Sequence, residues 1–278
     1  MKKWIIAFLW ITASGAVHAA TAIVDGVQSP AWLERNNLSV PIAPGMELEA
    51  GDLVRTGKDA RLLLKMSEGS LVKLGENARF RIEEAKPKGG IFRATLSVLE
   101  GAFRFTTQAV AKSQKRDVRI SVGQNATIGI RGTDVWGRGN DQKDIVCLIE
   151  GKVDVTGNDG KTLRMDQSRQ FFQSARNAPP LPLDFVSLEQ LGKWGQETEI
   201  HAGKGARQKG QWLVMIGGFA DRTAMLAANK TLRNAGFPSE SGVLNTLRIV
   251  SLGGEAEATA LAKQLMAEFG FKDVKILK

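Results

Sequence analysis

Trp212-Leu213-Val214-Met215-Ile216-Gly217-Gly218 decides the fold of the C-terminal part of the chain, because its plan returns as Arg248-Ile249-Val250-Ser251-Leu252-Gly253-Gly254. Ile216-Gly217-Gly218 falls on Leu252-Gly253-Gly254 at an offset of 36 residues. A stretch of helical spacing follows each run. The first carries Ala224, Ala227, Ala228 and Leu232 and closes at Ala235-Gly236-Phe237; the second carries Ala258, Leu261, Ala262 and Leu265 and closes at Phe269-Gly270-Phe271. A last strand is expected over 274–277. Two β-α-β units sharing one small sheet make residues 210–278 an α+β, split βαβ (ferredoxin-like) domain. With the helices on one face, strand parity sends Val214, Ile216, Val250 and Leu252 towards them, and Leu213, Met215, Ile249 and Ser251 to the open face.

Upstream, residues 176–209 read as a linker. Asn177-Ala178-Pro179-Pro180-Leu181-Pro182 cannot continue a central strand. Ser187-Leu188-Glu189-Gln190 reads as a helix N-cap with a capping-box Gln, leading into Leu191 and Trp194. Gly203-Lys204-Gly205-Ala206-Arg207-Gln208-Lys209-Gly210 is small and basic, as expected of a solvated tether, with His201 a plain surface residue at its edge.

Residues 22–175 have period two: Leu62, Leu64 and Met66 alternate with Arg61 and Lys65, Phe80 and Ile82 with Arg79 and Arg81, and Phe103 and Phe105 with Arg104. Turn signals such as Pro44-Gly45, Gly51-Asp52, Glu68-Gly69-Ser70, Lys88-Gly89-Gly90 and Glu150-Gly151 recur every eight to twelve residues. That spacing predicts an all-β sandwich or roll. The whole chain therefore reads as multidomain.

Lys2 and Lys3, the apolar run from Trp4 to Ile11 and the small residues ending Ala19-Ala20 have the order of a signal peptide over 1–20, cut after Ala19 or Ala20. The apolar run falls short of the roughly 20 residues of a bilayer crossing. No stable membrane span is expected after cleavage, and the mature protein is expected in the periplasm. Loss of Lys2 and Lys3 takes the formal charge from +9 to +7. Such a balance suits anionic partners, but export leaves wall polymer and lipid rather than nucleic acid. With one cysteine, Cys147, an internal disulfide is impossible; with His18 and His201 the only histidines, a Cys/His zinc site is close to excluded. No metal and no cofactor is expected.

Two resemblances follow from these motifs. Gly51-Asp52-Leu53-Val54-Arg55-Thr56-Gly57-Lys58-Asp59-Ala60, Glu68-Gly69-Ser70, Gly101-Ala102-Phe103-Arg104 and Thr127-Ile128-Gly129-Ile130-Arg131-Gly132-Thr133 resemble, in order and spacing, the extracytoplasmic FecR domain. Its glycines look structural, while Arg131 either presents a guanidinium to a ligand or fixes the turn. Residues 211–278 resemble a SPOR domain, on the opening Gln211 to Ala220, the alanine-rich helix ending Leu232-Arg233-Asn234-Ala235-Gly236-Phe237, and the second Gly-bearing strand. That resemblance implies binding to peptidoglycan, in particular glycan strands stripped of stem peptides at the division septum. Leu213, Met215, Ile249 and Ser251 would then stack on or contact sugar rings, Gly217 and Gly218 would allow close backbone approach, and Arg248 would reach sugar hydroxyls or carboxylates. Trp212 either stacks at the strand start or joins the core. Met215 departs from the polar, glutamine-like group the family carries there.

A cell-wall-cleaving enzyme is the first rival reading and is disfavoured. Asp117, Asp134, Asp141 and Asp144 sit in turns or strand ends as solvated charges do, and one histidine and a Cys147 flanked by Ile145 and Ile149 build no nucleophilic triad. An RNA-recognition role of the split βαβ plan lacks strand aromatics, since Met215 and Ser251 hold that face. A FecR-type signalling regulator of a sigma factor needs a cytoplasmic segment before its span, which is not seen ahead of Lys2. The expectation is an exported envelope protein that captures glycan through 210–278 and presents a FecR-like domain to an envelope partner.

Overall fold

The computed structural model describes residues 20–107, 115–130 and 132–278. The expected signal peptide and Arg131 therefore lie outside the described residues. The N-terminal body is built from β1 (Ala22–Gln28), β2 (Ala31–Arg35), β3 (Leu38–Pro41), β4 (Glu47–Leu48), β5 (Leu53–Thr56), β6 (Arg61–Met66), β7 (Leu71–Leu74) and β8 (Arg79–Lys88). It continues through β9 (Ile91–Thr106), β10 (Arg116–Val122), β11 (Ala126–Ile130), β12 (Asp134–Gly139), β13 (Lys143–Glu150), β14 (Val153–Gly157), β15 (Thr162–Met165), β16 (Gln170–Ala175) and β17 (Asp184–Phe185). Then come α1 (Leu188–Gln196), β18 (Ala206–Arg207), β19 (Trp212–Ile216), α2 (Arg222–Asn234), β20 (Glu240–Ser241), β21 (Leu247–Leu252), α3 (Glu255–Phe269) and β22 (Val274–Leu277).

The body is two sheets that share β9. The first half of β9 pairs with β8 and, in parallel, with β10; its second half pairs antiparallel with β7 and β12. One sheet runs β3-β2-β5-β8-β9-β10-β11-β14-β15. The other runs β1-β6-β7-β9-β12-β13-β16-β17. Gly101 marks the handover between them, with φ +90° and a space in which a Cβ would lie 2.5 Å from the Ala78 Cα. Only glycine accepts both conditions at once.

The alternation read from the sequence holds for the core. Leu62, Leu64, Phe80, Ile82, Phe103 and Phe105 are buried together with Val118 and Ile120. Arg61 is the exception to its strand's pattern: it is buried, with one guanidinium N–H donated to the Ala60 carbonyl at 2.8 Å.

In the C-terminal part, β19 lies between β21 and β22, and β20 lies outside β21, all antiparallel. Val214, Ile216, Leu247, Ile249 and Leu252 are buried with Leu232, Ala258, Ala262 and Leu265 of the two helices. The parity assigned to β21 is corrected here. Ile249 is 1% exposed and faces the helices, whereas Val250 is half-buried on the other side. The cause is local: Ser251 takes φ +65°, and the β19/β21 register shifts between Trp212 and Val214. One extra residue in a strand turns every side chain on one side of it to the other face.

The solvated tether is also corrected. Ser187 does cap α1, its hydroxyl accepting the Gln190 N–H at 3.1 Å. But Trp194 stacks on Trp136 with ring centroids 4.6 Å apart and planes at 4°, and Phe171 meets Trp194 edge-on at 6.1 Å. The helix thus roofs a second small core of Ala102, Trp136, Ile145, Cys147 and Val186 on the outer face of the sheet. Further on, β18 pairs with β1 through Gly26↔Arg207 and Val27↔Ala206, and with β21 through Ala206↔Leu252. An unpaired strand edge leaves a row of amide groups to satisfy, and β18 supplies their partner.

Candidate functional site

The face of the C-terminal sheet away from the helices carries half-buried and exposed side chains. Residues directly opposite across a ladder share a side. Met215 stands opposite Arg248 and Lys275, and Leu213 opposite Leu277, so these five form an apolar strip with two cationic flanks. Arg248 pairs with Glu240 at 3.3 Å, and Lys275 lies 3.7 Å from Asp273. Val250 and Ser251 continue the strip into a groove whose far wall is Val40, Pro41, Ala43, Pro44 and Met46 of the N-terminal body.

Of the residues singled out in the sequence, Leu213, Met215 and Arg248 come together on this strip. Ser251 reaches only its groove end, and Ile249 is turned away into the core. Gly217 and Gly218 form the β19–α2 turn against Asp273, Gly217 donating its N–H to the Asp273 carbonyl at 2.8 Å. Trp212 packs half-buried against the core, with the Lys278 ammonium 6.0 Å from its ring centroid.

In the body, the motif residues are consumed by the framework. Asp52 is buried and receives both the Nε and Nη2 hydrogens of Arg35 at 2.7 Å, as well as the Glu49 N–H at 2.7 Å. Thr56 donates to the Gly75 carbonyl at 2.7 Å and accepts from the Ala78 N–H at 2.8 Å. Thr133 is buried, its carbonyl accepting the Thr107 N–H at 2.9 Å.

Two acidic residues expected to be solvated are not. Asp134 accepts Nε and Nη2 of Arg104 at 2.9 and 2.6 Å, and this pairing holds the Arg104 guanidinium pKa above its ordinary value. Asp144 is 1% exposed; its Oδ2 accepts the N–H groups of Gln124 and Asn125 at 3.1 and 2.8 Å, while burial pushes its carboxyl pKa up. Cys147 is buried, and loss of solvent pushes its thiol up to about 12, so it stays protonated.

Sequence reasoning missed how the 176–209 segment is held. Glu199 pairs with both Lys73 and Arg104, and Glu197 pairs with Arg138. The His201 N–H donates to the Gln28 Oε1 at 3.1 Å, making His201 half-buried rather than a plain surface residue; burial, then the charges of Arg61 and Lys204, lower its pKa. Nothing local marks these contacts, since Lys73 and Glu199 meet only through the tertiary fold. Sequence reasoning also missed a cleft of about 260 Å³ between β1, β18 and α3, lined by parts of both halves of the chain.

Among the described residues no group of His, Cys, Asp and Glu could hold a metal, and no helix is long and apolar enough to cross a membrane. The class defined by this architecture is a two-sheet β body with a small α+β unit docked on it. The family model described as FecR protein matches residues 52–154, so the body carries a FecR domain. Two crystal structures of a candidate anti-sigma factor from Parabacteroides distasonis are similar in part. One has 11% identity and a TM-score of 0.43 over 81% of this chain and 98% of that one. The second has 12% identity and a TM-score of 0.43 over 79% and 92%. No curated protein matches the chain. The family match carries the first of the two sequence resemblances and leaves the SPOR resemblance of residues 211–278 without support.

Proposed function

We propose that this chain is an extracytoplasmic signalling protein of the FecR type, a binding and relay module rather than a catalyst. The observation that carries the reading is the FecR domain at residues 52–154. Its motif side chains Asp52, Thr56 and Arg104 are spent on internal pairing, Arg104 with Asp134, which suits a rigid platform whose outer surface meets a partner. The family's role points to regulation of a sigma factor from outside the cytoplasm. The export pattern of residues 1–20 supplies the compartment in this reading. The test is transcript profiling of the native host with and without the gene. A change of several-fold in one sigma-factor regulon, restored by the intact gene and not by one lacking residues 52–154, is expected. An unchanged transcriptome under envelope stress would remove the reading.

A second reading keeps glycan capture for residues 210–278, with septal enrichment as its consequence. It is favoured by one specific observation. The order β22-β19-β21-β20, all antiparallel with α2 and α3 packed on one side, matches the order of the split βαβ plan and leaves Leu213 and Met215 half-buried on the side away from the helices. Long apolar groups flanked by Arg248 and Lys275 suit the apolar face and the hydroxyl and carboxylate groups of an amino-sugar chain.

A further inference from the structure

One amide fastens the 199–208 segment to β1. The Gln28 side chain, at the end of β1, is buried and makes three contacts. Its Oε1 accepts the His201 N–H at 3.1 Å, its Nε2 donates to the Asp59 carbonyl, and the same Nε2 lies 3.4 Å from the His201 Nδ1. These partners fix the orientation of the amide. A flipped Gln28 would set its oxygen against the Asp59 carbonyl and its NH2 against the His201 N–H. The group facing Nδ1 is therefore a donor, and Nδ1 is the accepting nitrogen of a neutral ring. Charges of both signs surround that ring. Burial, then Arg61 of β6 and Lys204 of the segment itself, disfavour an imidazolium, while Asp59 and Glu76 of the body favour it; the first group prevails and the pKa lies below its ordinary value. Arg61 is itself buried, and its Nε has no partner among the described residues.

We propose that the Gln28–His201 contact is an acid-released latch: a neutral His201 keeps the 199–208 segment on β1, and protonation of Nδ1, which turns an acceptor into a donor facing the Gln28 NH2, unseats it. The latch does not depend on the signalling or the glycan reading. Its position gives it a consequence for either, because β18 lies in this segment and pairs with both β1 and β21. Release removes that fastening between the body and the C-terminal unit and leaves the Trp32–Asn234 contact as a pivot. A histidine whose pKa is lowered in the seated form stabilises that form fully above its free value, about 6.5. The stabilisation is lost as the pH falls from there through the seated value.

The experiment is carried out on the full chain and on His201→Gln, which keeps an oxygen to accept from Gln28 and does not titrate. Long-range proton–nitrogen NMR of the imidazoles, with the His201 signals assigned by their loss in the variant, is expected to show the Nε2–H tautomer at neutral pH. The His201 midpoint is expected below that of the same histidine in urea. Amide hydrogen exchange, corrected for the intrinsic effect of pH, is expected to show protection over 199–208 at least about threefold lower at pH 5.5 than at pH 7.5 in the parent and equal at both in His201→Gln. An Nδ1–H tautomer, a midpoint at or above the value in urea, protection that does not fall at pH 5.5, or a fall of the same size in His201→Gln overturns the proposal.

Discussion

Asp144 shows how one side chain links local geometry to stability. Its carboxylate is buried beneath the Gly123–Asn125 turn, with Oδ2 bonded to two backbone N–H groups and Oδ1 without a partner among the described residues. Burial raises its pKa, and the two backbone hydrogen bonds and the Arg176 charge oppose that rise without cancelling it. A carboxyl whose pKa is higher folded than unfolded favours the fold most when protonated. Its contribution declines as the pH climbs from the unfolded value through the folded one. At neutral pH the charge is therefore a cost. Asp144→Asn keeps an oxygen for both N–H groups, so the variant is expected to be at least as stable as the parent at pH 7, with a smaller difference between pH 4 and pH 7. Urea midpoints at both values check this; a loss of more than about 2 kcal/mol at pH 7 would mean the charge itself is needed.

At the scale of an element, α1 illustrates a short helix that exists because of what it covers. Nine residues are too few to be stable alone in water. The Ser187 cap and the Glu189–Lys193 pair at 2.7 Å help its ends, but Trp194 against Trp136 and Phe171 holds it down. Trp194→Ala is expected to cost about 3 kcal/mol and to open the 188–199 segment to protease. Leu188→Ala, at a position 74% exposed on the same helix, is expected to cost less than about 0.5 kcal/mol. Equal costs for the two would mean that α1 is not anchored by the tryptophan stack. The cap and the Trp were legible in the sequence; the aromatic partner was not, because Trp136 lies on a strand 58 residues earlier.

For the whole molecule, the two halves are sutured rather than tethered. Gly236, at φ +85°, leaves room for the Trp32 ring, which would lie 2.7 Å from a Cβ there, and the Trp32 Nε1 donates to the Asn234 carbonyl at 3.1 Å. Together with β18 this keeps the open strip of Leu213 and Met215 beside the Pro41–Met46 wall. Any glycan must therefore reach the strip with the body in place. The glycan reading predicts that the full chain cosediments with sacculi, more so after amidase treatment, and that Met215→Glu lowers the bound fraction several-fold without moving the unfolding midpoint. Equal retention on treated and untreated walls, or an undiminished variant, would end that reading.

The sequence by itself determined the period-two β body, the turn glycines, the duplicated strand-helix plan near the C-terminus and the FecR motifs, because each is written in neighbouring residues within a few turns or strand lengths. Only the tertiary structure decided that Ile249 points inward, since a bulge at Ser251 reverses a parity that spacing alone makes regular. The same holds for residues 176–209, which have the composition of a tether and yet lie bound. Their holding partners, Lys73, Arg104, Trp136 and the free edge of β1, are distant in the chain and are brought to them by the closed two-sheet body. Short-range patterning specifies faces and turns, whereas ion pairs, strand-edge pairing and clefts between halves depend on which distant surfaces meet.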